Sequence, residues 1–253
     1  MRFGSLFTGV GGGDVGLEEA GMECAWQVEI DPFCKKVLEA RWPHVKRMAD
    51  VRQAGVADLE SVDLICGGFP CQDISYAGKG AGIEGFRSGL WKEYARIVGE
   101  LRPRYVLVEN VTALLERGLG RVLRDLASLG YDAEWDCIPA CALGAPHRRD
   151  RIWVLAYPRG SGGERLVQGP YSRQLGPWRW RGEKDLRSVV NAPFERGDRW
   201  PEPLLRGVDA RIPNRAHRLK AVGNSMCPQV VEWIGRRIME HEKLGIPIKE
   251  VKG

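Results

Sequence analysis

Short apolar runs alternate with amphipathic stretches along the first 157 residues. This alternation is typical of βαβ units, in which helices cover a mainly parallel sheet. The apolar runs predict strands at Arg2–Phe7, Cys24–Glu29, Val62–Cys66, Arg104–Glu109, Tyr131–Cys137 and Arg151–Tyr157. The amphipathic stretches predict helices at Gly13–Ala20, Pro32–Arg41, Leu90–Leu101 and Leu119–Leu129. We therefore expect an α/β fold.

The hydrophobic periodicity stops after Tyr157 and returns only near Pro228, where apolar residues recur at helical spacing. This interruption predicts three regions. Residues 1–157 form the main α/β domain, residues 158–217 form a small irregular insertion, and residues 218–253 supply a C-terminal segment and helix that complete the domain.

The composition fits a globular protein. Of 253 residues, 43% are hydrophobic and 28% are charged, which excludes disordered, collagen-like and coiled-coil chains. The apolar runs are far shorter than the roughly 18 residues of a membrane span, and the opening sequence MRFGSLFTG does not resemble a signal peptide. We expect a cytoplasmic monomer without membrane contact.

The cysteines and histidines predict neither disulfides nor a metal site. Seven cysteines without a CxxC pair favour a reducing compartment, and the four histidines are scattered. No zinc ligand set with the usual spacings can be written, and we expect no metal.

The positive charge is regional. Residues 158–220 hold 12 Arg, 2 Lys and 7 acidic residues, a net charge of +7, whereas the whole chain carries only +5. The same region contains Trp178, Trp180 and Trp200. Arginines interleaved with aromatic residues suit contacts to phosphates and base edges of a nucleic acid. A solvated, loop-rich insertion is the alternative.

A glycine-rich turn, FTGVGGG at residues 7–13, follows the first predicted strand. Such a turn lets the backbone approach a ligand, with Phe7, Gly9 and Gly11 as candidate contacts. It departs from the GxGxxG fingerprint at Asp14 and could be only a tight connection. Glu29 ends the second strand, where an acid can bind ribose hydroxyls. Together they suggest an adenosine-containing ligand. Asp50 could reach its adenine edge, or simply start a loop.

Three further segments carry candidate chemistry. Cys71 lies in the glycine-flanked loop GGFPCQDIS, at the edge where parallel sheets place active sites. Glu109 ends the next strand at the same edge. Arg149 and Arg151 precede an apolar strand, and strand alternation predicts that they share one face. A strand-end acid and solvated arginines are the alternatives.

Taken together, these segments resemble the DNA cytosine-5 methyltransferase family, and the motifs occur in that family's order. FTGVGGGDVGLEEAG resembles its cofactor loop, VEIDPFC its ribose-binding segment, GGFPCQDIS its nucleophile loop and ENV its cytosine-holding motif. HRRDRIWVLAY resembles its arginine strand and AVGNSMCPQVVEWIGRRI its closing segment.

The resemblance implies a Rossmann-like, S-adenosylmethionine-dependent methyltransferase domain with a target-recognition insertion, acting on double-stranded DNA. It implies that Cys71 attacks carbon 6 of a flipped cytosine, with Arg149 as a helper of the thiolate. Glu109 would hold ring nitrogen 3 and the exocyclic amine, and Arg151 the ring oxygen. Asn224 and Ser225 would lie near the amino-acid end of the cofactor. The glycine-rich stretch Ser75–Ser88 would be a mobile loop closing over the base.

Some features depart from the family pattern or favour other classes. His147 stands where the family usually has Gln, and WPEPLLRGVDARIPNRAHRLK looks more like compact phage or prophage members. A nicotinamide-dependent oxidoreductase would share the glycine turn but would not explain the Pro-Cys-Gln loop. An RNA cytosine methyltransferase would share the nucleophile chemistry. A decayed nucleic-acid-binding protein is disfavoured because Cys71, Glu109, Arg149 and Arg151 are all present.

Overall fold

A computed structural model describes residues 1–70, 88–145, 148–161, 221 and 223–243. Its described strands form one seven-stranded sheet, in the order β3 (Lys46–Met48), β2 (Glu23–Val28), β1 (Arg2–Leu6), β4 (Leu64–Gly67), β5 (Tyr105–Val111), β7 (Asp150–Pro158) and β6 (Tyr131–Pro139). The pairs among β1 to β5 are parallel, whereas β7 runs antiparallel to both β5 and β6. The predicted α/β fold with a mainly parallel sheet is thus confirmed.

The described residues form seven strands and six helices. The strands are β1 Arg2–Leu6, β2 Glu23–Val28, β3 Lys46–Met48, β4 Leu64–Gly67, β5 Tyr105–Val111, β6 Tyr131–Pro139 and β7 Asp150–Pro158. The helices are α1 Gly12–Glu19, α2 Pro32–Arg41, α3 Trp91–Leu101, α4 Leu114–Arg117, α5 Leu119–Ser128 and α6 Pro228–Lys243. Short 3-10 turns occupy Ser88–Leu90 and Ala140–Leu143.

Two apolar clusters cover the two faces of the sheet, because successive strand residues point to opposite sides. On one face, Ile65 and Val106 pack with apolar residues of α3 and α5. On the other face, Leu64 and Leu107 pack with residues of α1 and α6. The C-terminal helix, predicted from the periodicity after Pro228, therefore covers the same face as the helix that follows the glycine-rich turn.

The structure corrects several predicted boundaries. β1 ends at Leu6, one residue early, because Phe7 takes a positive φ of 53° and leaves the strand. β2 ends at Val28, so that Glu29 follows the strand. Glu109, expected to end its strand, lies inside β5, which continues to Val111.

Two elements were missed by the sequence reading. β3 is three mostly polar residues long, and it is a strand because it pairs with β2. α4 is a single helical turn before α5. Both are too short to show a hydrophobic period.

The structure contains none of the long apolar helices that cross membranes within its described ranges. All six cysteines in those ranges are free thiols. No group of three or more His, Cys, Asp or Glu side chains in the same part of the chain is placed to hold a metal ion. Most of the predicted insertion at 158–217 lies outside the described residues, and the division into three regions stays a prediction.

Candidate active site

The candidate residues converge on the carboxyl edge of the parallel strands. Going along the chain, β1 to β3 extend the sheet in one direction, whereas β4 and β5 extend it in the other. The reversal lies between β1 and β4, and ligands of open α/β sheets bind at such a switch point. The glycine-rich turn follows β1, and the stem of the Cys71 loop follows β4, so both predicted loops start at this point.

The glycine-rich turn is shaped by the packing of Gly11 against Trp42. Gly11 is the N-cap of α1 with a φ of 83°, and a Cβ there would lie 2.4 Å from the indole ring. Only glycine meets both conditions without strain. The indole N–H of Trp42 donates to Glu18 of α1 at 2.6 Å, which fixes the ring beneath the turn.

Phe7 joins this turn to an aromatic stack in the core. Its ring stacks on Tyr94, with centroids 6.5 Å apart, and Tyr94 in turn stacks on Trp91. The Tyr94 hydroxyl donates to the carbonyl of Leu107 in β5 at 3.0 Å. Phe7, which leaves β1 with a positive φ, therefore packs on an aromatic residue of α3.

Glu29 holds the turn through backbone groups. One carboxylate oxygen accepts from the Gly9 amide and the other from the Asp31 amide, both at 2.7 Å. Burial raises the pKa of Glu29, and these backbone hydrogen bonds oppose the rise. Each oxygen has a second lone pair for a ligand hydroxyl. The next residue, Ile30, is 62% exposed, an apolar side chain beside the acid that sequence reasoning did not single out.

A buried polar network underlies the same turn, and it was also missed. The Asp14 carboxylate accepts from Ser5 at 3.1 Å and from the Gln27 side-chain amide at 2.9 Å. Arg47 donates to the Gln27 side-chain oxygen at 2.9 Å and also to the backbone carbonyl of Trp42. Burial raises the pKa of Asp14 to about 6. The departure from GxGxxG therefore places a carboxylate inside the protein, tied to two strands.

Asp50 follows β3 at the same edge as Glu29, since β2 and β3 are parallel neighbours. Its carboxylate accepts from the Arg52 guanidinium, with a shortest distance of 2.6 Å, and also from the Arg52 backbone amide. These bonds hold the pKa of Asp50 below its usual range. Asp50 therefore has a local partner, and a contact with adenine stays a prediction.

Glu109 and Arg151 form an ion pair across neighbouring strands. The Arg151 Nε lies 2.9 Å from Glu109 Oε1, and the two side chains are 22% and 10% exposed. Burial raises the pKa of Glu109, while the charges of Arg151 and Arg149 lower it. A carboxyl with a raised pKa can hold or share a proton near neutral pH.

The stem of the Cys71 loop is held against this acid. A Cβ on Gly68 would lie 2.7 Å from Glu109 Oε2, so the loop backbone passes directly over the carboxylate. The buried Asn110 side chain donates to the Phe69 carbonyl at 3.0 Å. Asn110 was part of the ENV motif but had no predicted role; it anchors the stem two residues before Cys71. Cys71 itself, the Ser75–Ser88 stretch up to residue 87, and His147 lie outside the described residues.

Arg149 corrects one prediction. It lies before β7 and has a positive φ of 40°, so strand alternation does not place it on the face of Arg151. Its guanidinium instead donates to the backbone carbonyls of Gly223 and Ser225, at 2.9 Å for the first. Ser225 lies against the glycine-rich turn, while Asn224 is exposed.

Comparison with known proteins identifies the family of this chain. The model of the C-5 cytosine-specific DNA methylase family matches residues 1–175. The chain belongs to this family. Membership implies S-adenosyl-L-methionine as the cofactor and agrees with the motifs read from the sequence.

Curated relatives of this chain include type II methyltransferases. M2.BsuMI of Bacillus subtilis (strain 168) is 38% identical over 164 residues, covering 62% of this chain and 42% of the relative. M.HhaI of Haemophilus parahaemolyticus is 33% identical over 161 residues, covering 62% and 49%. The chain thus spans less than half the length of these two relatives.

Solved structures give the same fold. A prophage-encoded E. coli protein described as a DNA modification methyltransferase matches with a TM-score of 0.54 and 25% identity, covering 63% of this chain and 47% of that one. The S. pombe Dnmt2 methyltransferase matches with a TM-score of 0.53 and 20% identity, covering 64% and 51%. At this identity the second likeness concerns the fold alone.

Proposed function

We propose that this chain transfers a methyl group from S-adenosylmethionine to carbon 5 of cytosine in a specific double-stranded DNA sequence, through a covalent Cys71 adduct on a flipped base. The observation that carries the proposal is the Glu109–Arg151 pair. A buried acid with a raised pKa lies beside a guanidinium at the edge where the Cys71 loop stem and the glycine-rich turn begin.

The cofactor side fits an adenosine-containing methyl donor. Glu29 retains lone pairs for ribose hydroxyls, Phe7 and Ile30 provide apolar surface for adenine, and the position above Gly9 has no atom within 4 Å of a Cβ. The helix N-terminus behind Gly11 favours the carboxylate of the amino-acid end. When bound, S-adenosylmethionine supplies an electrophilic methyl group on a sulfonium.

The base side provides what cytosine needs. Carbon 5 becomes nucleophilic when the Cys71 thiolate adds to carbon 6, because the electrons of the 5,6 double bond move to carbon 5. Glu109 donates its proton to ring nitrogen 3 and accepts from the exocyclic amine, while Arg151 donates to the ring oxygen. Methyl transfer to carbon 5 leaves S-adenosylhomocysteine. A base then takes the carbon-5 proton, the freed electron pair re-forms the 5,6 double bond and expels the Cys71 thiolate, and nitrogen 3 returns its proton to Glu109. The cytosine must leave the duplex to reach these groups.

The basic insertion is the proposed target reader. Residues 158–220, which contain the insertion, carry a net charge of +7 and three tryptophans, and this combination suits contacts to phosphates and bases. Substituting an arginine that contacts a phosphate should weaken binding to every DNA sequence alike. Each such substitution should lower the slope of log binding constant against log salt concentration by about one unit. Substituting an arginine that contacts guanine should cost about 1–3 kcal/mol of binding free energy on the preferred site and relax specificity at one position. Mapping DNA methylated by variants altered at each Arg from Arg159 to Arg215 separates the two groups.

Two measurements test the proposal. Purified protein is incubated with labelled S-adenosylmethionine and either duplex DNA or RNA, and 5-methylcytosine is sought in each. Label in DNA supports the proposal, and label only in RNA would identify the protein as an RNA methyltransferase instead.

The second measurement uses DNA that contains 5-fluorocytosine at the target. Fluorine cannot leave as a proton does, so the adduct should survive denaturation. Cys71→Ala should abolish the adduct, while Cys141→Ala, a change at a partly exposed thiol elsewhere, should retain it. An adduct formed by Cys71→Ala would refute the assignment of the nucleophile.

A further inference from the structure

Arg149 links two parts of the chain that are far apart in sequence. Both terminal nitrogens of its guanidinium donate to the Gly223 carbonyl, at 2.9 and 3.0 Å, and one of them also donates to the Ser225 carbonyl. A planar guanidinium suits this fork, because its donors are fixed relative to one another. The residue holds this position with a positive φ of 40°, a conformation that is costly for a side chain other than glycine.

The segment that Arg149 holds, Gly223–Cys227, packs on the glycine-rich turn. A Cβ on Gly12 would lie 2.1 Å from the Ser225 hydroxyl oxygen and 2.4 Å from the Met226 carbonyl oxygen. The turn and the segment are therefore in close backbone contact. Any shift of the segment changes the surface behind the first turn of α1, where the proposed cofactor would bind.

The same segment also reaches the base side. Met226 lies 3.4 Å from the position of a Cβ on Gly68 and 3.8 Å from the Cys66 thiol of β4. Gly68 passes over Glu109, whose pKa the charge of Arg149 helps to lower. The guanidinium therefore acts on Glu109 through its charge and on the cofactor turn through Gly223–Cys227.

We propose that Arg149 is a positioning residue that fastens Gly223–Cys227 onto the glycine-rich turn and thereby sets the affinity for the cofactor before DNA binds. This inference rests on the proposed function. It assigns Arg149 a task separate from any help to the thiolate, since the carbonyls it holds belong to the cofactor side of the site.

The test measures the binding of S-adenosylhomocysteine, the demethylated cofactor, to protein without DNA by calorimetry. Arg149→Gln and Arg149→Lys both remove the paired guanidinium hydrogen bonds to the Gly223 and Ser225 carbonyls, and Lys keeps the positive charge. We expect at least about tenfold weaker binding for Gln and a clear loss for Lys, because bonds from a charged donor to two carbonyls disappear. Arg148→Gln is the matched control and should bind with unchanged affinity. Arg148 is an exposed neighbour that, among the described residues, forms its ion pair with Asp150 at 3.0 Å.

Amide hydrogen exchange provides the second readout. Residues 223–227 should exchange faster in Arg149→Gln than in Arg148→Gln, while α5 stays unchanged. If wild-type protein binds no S-adenosylhomocysteine or S-adenosylmethionine, the proposed function itself fails. If wild type binds and Arg149→Gln binds equally well, with unchanged exchange at 223–227, only the role of Arg149 is refuted. If Arg149→Lys binds S-adenosylhomocysteine as tightly as wild type, the positive charge sets the affinity, and the proposed role of the guanidinium hydrogen bonds is refuted.

Discussion

Arg151 and Glu109 approach to 2.9 Å across β7 and β5, although they are 42 positions apart in sequence. The acid is nearly buried, and burial is the main cause of its raised pKa. The guanidinium opposes that rise, because a nearby positive charge favours the ionised carboxylate. Burial and the guanidinium thus act on the same carboxyl in opposite directions, and the raised pKa favours the protonated form that a group sharing a proton with a base requires.

Removing Arg151 should therefore move the pH dependence of methyl transfer in a known direction. A carboxyl that donates to nitrogen 3 of neutral cytosine must carry the proton, so activity should fall as pH rises through the Glu109 pKa. Arg151→Gln raises that pKa further, so the falling limb of kcat/KM should shift to higher pH while the maximum decreases. The measurement is kcat/KM on target DNA between about pH 6 and 9. Arg148→Gln serves as the control, and a shift to lower pH would contradict this role of the pair.

Glu29→Ala should weaken S-adenosylmethionine binding by about 1–3 kcal/mol, as expected for loss of hydrogen bonds to a charged group. The loss has two sources: the ribose contact, and the support that the carboxylate gives to the amides of Gly9 and Asp31. Calorimetry without DNA measures it. Glu39→Ala removes an exposed acid on α2 and should leave the affinity unchanged. Equal affinities of the two variants would place the ribose elsewhere.

Gly11→Ala should destabilise the protein more than Gly21→Ala. Both glycines have a positive φ, 83° and 92°, so each substitution pays the left-handed backbone cost of about 1–2 kcal/mol. A Cβ on Gly21 meets nothing within 4 Å, whereas one on Gly11 overlaps the Trp42 ring. Overpacking should add about 1–3 kcal/mol for Gly11→Ala. Urea unfolding of the two variants measures the difference, and equal losses would mean that Trp42 can move aside without cost.

Asp14 should make stability depend on pH in the direction opposite to an ordinary paired carboxylate. Its pKa is raised to about 6 in the folded protein, so between about pH 4 and 6 the folded state binds more protons than the unfolded state. Stability from this group is then greatest at low pH and is lost as pH rises through 6. The loss amounts to about 3 kcal/mol, since one pKa unit is worth about 1.4 kcal/mol.

Comparison with Asp14→Asn isolates this effect, because all other titrating groups are common to the two proteins. The free energy of unfolding of wild type minus that of the variant should decrease by about 2.4 kcal/mol from pH 4 to pH 7, and the full difference of about 3 kcal/mol is reached only below the unfolded pKa. Urea unfolding at several pH values measures it. A constant difference across that range would show that the Asp14 pKa is not raised.

Local signals were sufficient for the sequence to determine part of this protein. α2 runs from Pro32 to Arg41 as predicted, because Asp31 caps the first amides, proline favours the first turn, and the apolar period is regular. The family was likewise evident from motifs, since the Pro-Cys-Gln loop, Glu-Asn-Val and the arginine strand combine residue types that one chemistry requires in one order.

Only the tertiary structure decided which of these residues meet. β3 has no period of its own and is a strand because the edge of β2 offers unpaired backbone groups. Asp14 looked like an exception to a glycine motif, and its burial depends on Ser5 and Gln27 from two strands. The hydrogen bond from the Arg149 guanidinium to the Gly223 carbonyl joins residues 74 positions apart in sequence. Such contacts depend on how separate elements pack, and neither propensity nor spacing along the chain encodes that packing.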